Sequence, residues 1–136
     1  MDKNFQVSIY TPFGKYLVTT CDYLSVTASN GVMGVLPNHA PLISTLEICK
    51  LTLRLGKTEY CYAISGGIIN IKKDHSVTLL VNSIERKDEI DVERAKDSQK
   101  RALERINNSK AEEIDIARAR LSLLRALNRL SVSDKN

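Results

Sequence analysis

Any chemistry in this chain would come from a few residues. Arg94 follows Asp91 by three positions, and Arg118, Ser122, Arg125 and Arg129 step by four, three and four, which puts them on one helix face. Guanidinium forks in such a row suit phosphate oxygens or the carboxylates of an acidic partner surface. A solvated face offset by neighbouring acids is the third reading, and a membrane-surface helix a weaker fourth, for want of lysines and an aromatic anchor. His39 and His75 have no Cys or carboxylate at metal-ligand spacing. His75, in a Lys-Asp-His turn, reads as a solvated loop residue. His39, between Pro37 and Pro41, reads as a structural or interface residue rather than a base. Ser65-Gly66-Gly67 suggests a phosphate cradle, but a strand pattern follows it instead of a helix, and Ser65 has no GxSxG setting. No base–nucleophile pair emerges, so a hydrolase has little to stand on and no catalytic site is expected.

The elements that must position these residues differ sharply along the chain. All six glycines, three prolines, three cysteines, five tyrosines and two phenylalanines of the 136 residues precede Asp88. Residues 1–87 alternate apolar and polar in short runs between turn signals: 5–10, 16–19, 23–28, 48–55, 58–64, 68–71 and 77–81. That spacing predicts an antiparallel sandwich or flattened barrel. Residues 88–136, rich in Ala, Leu, Arg and Glu, predict two helices. The second has a stripe of Ile116, Ala119, Leu123, Leu127 and Leu130, flanked by Ala117, Leu121 and Leu124. The first has a weaker one of Val92, Ala95, Ala102, Leu103 and Ile106. A loop at 107–110 makes them an antiparallel hairpin. A short repeat, Glu89 to Ala95 and Glu113 to Ala119, marks both helix starts, with Asp91 and Asp115 as N-caps.

Composition excludes several classes. Hydrophobic residues at 43% and charged ones at 26% rule out wholesale disorder. No apolar run is long enough to span a membrane, and the start MDKNFQVSIY lacks a signal-peptide layout. Cys21, Cys49 and Cys61 are odd in number with no CxxC, so a reducing compartment fits and a disulfide or zinc framework does not. The net charge of +4 invites a nucleic-acid reading, yet aromatics are only 5%. Divided along the chain, the charge is +3 over residues 1–87, −3 over 88–115 and +4 over 116–136. The last helix is the cationic one, and an arginine face with an anionic counterpart explains it without nucleic acid.

Residues 31–42, Gly-Val-Met-Gly-Val-Leu-Pro-Asn-His-Ala-Pro-Leu, then Ser65-Gly66-Gly67, Ile90 to Ala95 and Arg125 to Leu130 occur in an order that resembles the epsilon subunit of bacterial F-type ATP synthases over nearly the whole chain. The resemblance implies an α+β fold, a sandwich of about ten strands over 1–87 and a helical hairpin over 88–136. It implies no catalytic site, and a central-stalk place where the sandwich docks on the gamma subunit and the polar loops of the c-ring. Gly31, Leu36, Pro37, Asn38, His39 and Pro41 would belong to the docking segment. The hairpin of that family alternates between compact and extended states, and the extended state inhibits ATP hydrolysis. Arg118, Arg125 and Arg129 would then meet the acidic helix-turn-helix of the beta subunit. Ile90, Asp91, Arg94 and Ala95 are similar to a nucleotide motif of some bacterial members. By motif position, Glu85, Arg125 and Arg129 would complete a pocket for ATP as a regulatory ligand, with no cofactor required. Peripheral association with the cytoplasmic face of the cell membrane, through the complex alone, follows from the same resemblance. The rival class is a stand-alone β-sandwich for an anionic ligand, with an oligomerising helical hairpin.

Overall fold

The computed structural model describes residues 3–108 and 112–134, and the chain divides into two compact units, 1–86 and 87–136. In the first, eight strands follow in order: β1 (Phe5–Thr11), β2 (Gly14–Cys21), β3 (Tyr23–Ala28), β4 (Gly31–Val35), β5 (Leu42–Leu55), β6 (Thr58–Ile71), β7 (Val77–Val81) and β8 (Ile84–Arg86). They form one continuous sheet of order β2-β1-β7-β6-β5-β3-β4, with β8 also on β6. All pairings are antiparallel except β1 with β7, where Val7 meets Val77 and Ile9 meets Leu79.

The sheet becomes a sandwich by folding along its two longest strands. The part of β6 after Gly66 pairs with β7, whereas Tyr62 to Ile64 pair with β8 on the same edge. The first part of β5 pairs with β6 and touches β3 only where Leu46 meets Ala28, whereas Thr52 to Arg54 pair with β3 along their length. One layer is therefore β2-β1-β7 with the C-terminal part of β6 and the N-terminal part of β5. The other is β8, the remaining parts of β6 and β5, β3 and β4. This explains a strand count below the ten expected: β5 and β6 serve both layers without a break.

At the fold the inward alternation slips by one residue on both strands. On β5 it passes from Leu46 to Cys49, Leu51 and Leu53; on β6 it passes from Tyr62 and Ile64 to Ile69 and Ile71. The slip falls at Glu47 and Gly66, between the paired positions Leu46–Gly67 and Ile48–Ser65. Gly66 (φ +96) and Gly67 (φ +151) take a backbone that other residues rarely adopt. A Cβ at Gly67 would run into the carbonyl oxygen of Leu80. Ser65-Gly66-Gly67 is thus the corner of the sandwich, a structural reason for a motif that did not qualify as a phosphate loop.

Between the layers lies one core, which includes Val7, Ile9, Leu24, Val26, Leu51, Leu53, Ile64, Ile69, Ile71, Val77 and Leu79, all essentially inaccessible. Each such side chain contributes about 1.5–3 kcal/mol by leaving water. Tyr16 of one layer meets Tyr62 of the other edge-on, with ring centroids 6.3 Å apart.

The second unit begins with a 3-10 turn (Lys87–Glu89), followed by α1 (Val92–Ile106) and α2 (Glu113–Ser133). Asp91 caps α1 as expected, its side chain accepting from the Arg94 amide at 3.1 Å. Asp115 does not cap α2. The helix starts at Glu113, its N-cap Glu112 makes no side-chain cap bond, and Asp115 sits inside the first turn. Two glutamates with good helix propensity extend the helix ahead of Asp115, and its carboxylate there acts only on the helix dipole. Of the expected loop, Ser109 and Lys110 lie outside the described residues. The surfaces that close α1 and α2 together are small: the buried residues are Ala95 and Ala102 on α1, and Ala119, Ala126 and Val132 on α2. Leu127, placed in the core stripe by periodicity, is exposed, as are Leu121 and Leu124.

Candidate functional site

In the sandwich unit, the segment 31–43 combines rigid backbone with exposed apolar side chains. β4 ends one layer, so among the described residues one of its edges is unpaired. Its Val35 is buried and anchors the segment. Val32 (80% exposed), Leu36 (58%) and Ile43 (71%) point to solvent. Gly34 faces the Tyr23 ring so closely that a Cβ there would lie 3.1 Å from Tyr23 Cε1. Tyr23 is held in turn by the Arg54 guanidinium, 4.6 Å from its ring centroid, and Arg54 Nε donates to Asp22 Oδ1 at 3.4 Å.

Gly31 (φ +124) turns the chain into β4, and Asn38 (φ +66) provides a second left-handed position between Pro37 and Pro41. His39 is half-buried; its Nδ1 donates to the Ala40 carbonyl oxygen at 2.7 Å. His75 is not merely solvated: half-buried, with φ +71, it donates from Nδ1 to the His39 carbonyl oxygen at 3.0 Å. Both bonds occupy His39 in holding a loop rather than in proton transfer.

A second apolar surface lies on the outside of the first layer. Tyr10 is paired with Leu80, Leu80 with Ile68, and Ile68 with Thr45, so these four run in a row across four strands. They border an open groove of about 530 Å³ that also touches Pro12 and Asn82. Exposed apolar rows on a rigid sheet are what a docking surface requires.

The second unit holds most of the charged candidates. Asp91 and Arg94 are brought together by the cap, through the Arg94 amide and not its guanidinium. Ile90, just before the cap, is buried, while Arg94 itself is exposed. Among the described residues no carboxylate lies within ion-pair distance of Arg94, Arg118 or Arg125. Arg118 and Arg125 are exposed on α2, and Arg129, one turn after Arg125, is half-buried. Glu85 belongs to the sandwich unit, half-buried in β8. Sequence reasoning passed over Ser98, Arg101 and Arg105, which with Ser122 line a recess where α1 and α2 pack. The net-negative charge of 88–115 concealed the two arginines; their spacing of four was the signal that could have found them.

Among the described residues no group of three or more His, Cys, Asp or Glu is placed to hold a metal ion, and no helix is long and apolar enough to cross a membrane. Burial pushes the Cys21 thiol up to about 11 and raises that of Cys49, which suits packing rather than reactivity.

A sandwich with exposed apolar rows, joined to an arginine-bearing helical pair, offers surfaces for binding. The sequence model of the ATP synthase delta/epsilon chain β-sandwich domain matches residues 4–87, and that of the delta/epsilon long α-helix domain matches residues 88–134; the chain belongs to this family. It is 41% identical over 109 residues to an ATP synthase epsilon chain of Bacillus mycoides, covering 80% of this chain and 81% of that one. An epsilon chain of Bacillus thuringiensis is 40% identical over the same coverage. The fold also matches a chain in the Euglena gracilis mitochondrial ATP synthase, with TM-score 0.88 and 17% identity over 98% of this chain and 84% of that one. A chain of the Tetrahymena thermophila mitochondrial ATP synthase central stalk and c-ring gives TM-score 0.63 at 13% identity, over 98% of each. As an epsilon-type subunit, the protein is a non-catalytic part of the synthase.

Proposed function

We propose that this chain couples the catalytic head of an F-type ATP synthase to its c-ring from within the central stalk, and that its hairpin restrains ATP hydrolysis. The sandwich would dock on the gamma subunit and on the polar loops of the c-ring, using the 31–43 segment and the Tyr10–Leu80–Ile68 row. On this reading the protein is peripheral, on the cytoplasmic face of the cell membrane, and reaches the membrane only through the complex.

The observation that carries the regulatory half is the two-faced character of α2. Its inner face meets α1 through Ala119 and Ala126, while Leu121, Leu124 and Leu127 stay exposed beside Arg118 and Arg125. A methyl-sized group gains only about 0.8 kcal/mol by burial. Apart from Val132 the buried residues of α2 are alanines, so the helix gives up less on leaving than a leucine-faced one would, and its exposed leucines and arginines are then available to gamma and to the acidic helix-turn-helix of beta.

ATP is the regulatory ligand in this scheme, with Arg94, Arg125 and Arg129 as phosphate forks and Ile90 and Asp91 beside Arg94. It can act only by binding one hairpin state more tightly than the other. Calorimetric titration of the full chain with ATP tests this: millimolar ATP without heat, or an Arg125→Ala variant of unchanged affinity, ends the nucleotide reading. Co-purification tests the stalk reading. A gamma partner is expected, whereas salt-sensitive retention on polyanions without gamma would favour a stand-alone anion-binding protein. Truncation after Lys87 should leave a folded sandwich that supports coupling but no longer restrains hydrolysis.

A further inference from the structure

We propose that Asn30-Gly31, at the tip of the β3–β4 hairpin, is a self-modification site, where the asparagine loses its side-chain amide as ammonia and becomes aspartate or isoaspartate. The only co-reactant is water. The inference does not depend on the function proposed above.

Of the nine asparagines in the chain, Asn30 alone is followed by glycine. With Ser29 it forms the turn between β3 and β4, where Ala28 pairs with Gly31, and both Asn30 and Gly31 are exposed. The turn is tied down on one side: the Ser29 amide donates to the Thr45 carbonyl oxygen at 3.1 Å. Among the described residues nothing holds the Asn30 side chain. Gly31 has φ +124, and a Cβ there would meet nothing within 4 Å.

These features bear directly on the chemistry. The Gly31 nitrogen must reach Asn30 Cγ, an approach that a side chain at position 31 would crowd and that glycine leaves open. The Asn30 amide turns toward it without giving up a hydrogen bond. Exposure admits hydroxide and water. Other asparagines lack one or more of these features. Asn82 Nδ2 donates to the Ser65 carbonyl oxygen at 3.4 Å, and its backbone amide is bonded to Gly66. Asn70 lies within β6 ahead of the branched Ile71. Asn38 is exposed but precedes half-buried His39.

The step balances as follows. Hydroxide takes the Gly31 amide proton and the nitrogen attacks Asn30 Cγ. The new N–Cγ bond forms, the Cγ–Nδ2 bond breaks, and ammonia leaves with a proton from water. Water then opens the resulting succinimide at one of its two carbonyls. Breaking the new bond at Cγ restores the main chain with aspartate at position 30. Breaking the original peptide bond leaves the main chain running through the side chain, as isoaspartate.

Between Asp22 and Glu47 the sequence has no Asp, Glu, Lys or Arg. Either product therefore gives a neutral hairpin its only full negative charge. Isoaspartate also adds a backbone carbon at the turn, which disturbs the Ala28–Gly31 pair that starts β4.

The test is incubation of the folded full chain at pH 8, sampled by ion exchange and by mass spectrometry of the tryptic peptide 16–50, which holds both Asn30 and Asn38. A growing acidic form is expected, modified at Asn30 at least tenfold faster than at Asn38. It should contain isoaspartate as well as aspartate, and its rate should rise in proportion to hydroxide. Asn30→Gln, whose amide stands one carbon too far for a five-membered ring, should remove it. No acidic form, modification first at Asn38, aspartate without isoaspartate, or persistence in Asn30→Gln overturns the proposal. Incubation in urea gives the rate of the unfolded chain. A native rate within thirtyfold of it places the reaction in the folded hairpin, and a slower one would show that the turn protects the pair and end the inference. In the purified isoaspartate form, amides of 31–35 should exchange faster than in the unmodified chain; unchanged exchange would overturn the disturbance of β4.

Discussion

The ring of His75 is bonded to the backbone of His39, 36 residues earlier in the chain: Nδ1 of His75 lies 3.0 Å from the His39 carbonyl oxygen. A carbonyl only accepts, so Nδ1 carries the proton and the tautomer follows from the contact. Both ends of the bond sit in strained backbone, with His75 at φ +71 and Asn38, beside His39, at φ +66. The loop between Pro37 and Pro41 and the turn at 72–75 are therefore one body. His75→Ala should lose about 1 kcal/mol of stability, with faster hydrogen exchange in both 37–40 and 72–76. Faster exchange confined to 72–76 would mean that the loop at 37–41 is held by its prolines alone.

Gly67→Ala should cost about 3 kcal/mol or prevent folding, since it adds a clash with Leu80 to an unfavourable φ. Gly14→Ala, also at positive φ but with open space around it, should cost only about 1 kcal/mol. Urea unfolding of the two variants measures the difference, and equal losses would show that the corner can relax.

For the helix starts, Asp91→Ala should destabilise the second unit by about 1 kcal/mol, because a real cap is lost. Asp115→Ala should cost a few tenths at most, roughly the value of an acid in a first turn. Thermal unfolding followed by circular dichroism reads both. A larger loss at Asp115 would indicate that the start of α2 lies later than Glu113.

The buried thiols set a pH dependence. With its pKa raised to about 11, Cys21 keeps its proton in the folded chain where the unfolded chain begins to lose it near 9. Its contribution to stability is present below pH 9 and declines as pH rises toward 11; Cys49, shifted in the same direction, adds to the decline. Native labelling at pH 8 with a thiol reagent should reach half-exposed Cys61 first and leave Cys21 and Cys49 protected. Rapid labelling of Cys21 would show that its strand opens locally.

Much of this architecture was legible because the physics behind it is local. The absence of Gly and Pro after Asp88 foretold the helices, and period-two alternation foretold most strands, but three pieces escaped. β4 escaped because Gly31 and Gly34 interrupt its pattern and its apolar Val32 faces solvent. The first part of β5 escaped because Ile43 is exposed while Leu46 is buried, and β8 because it has only three residues. The slip at Glu47 and Gly66 is a property of two strands together and has no signature in either alone. In the helical unit, Asp91 was readable as a cap because capping is a contact over three residues. The Arg101–Arg105–Ser122 recess was not, because it needs both helices and the alanines between them.

The corner at Glu47 and Gly66 bears on mechanics as well as shape. In a sandwich made of two separate sheets, the layers meet only through side chains and can slide over each other for the cost of repacking. Here two neighbouring strands pass unbroken from one layer to the other, hydrogen-bonded on both sides of the bend. Sliding one layer would stretch covalent backbone or strip the ladder on either side of Gly67. A load applied to the outer face of one layer is thus delivered to the other through the main chain, which gives this small sandwich the stiffness of a bracket bent from a single sheet.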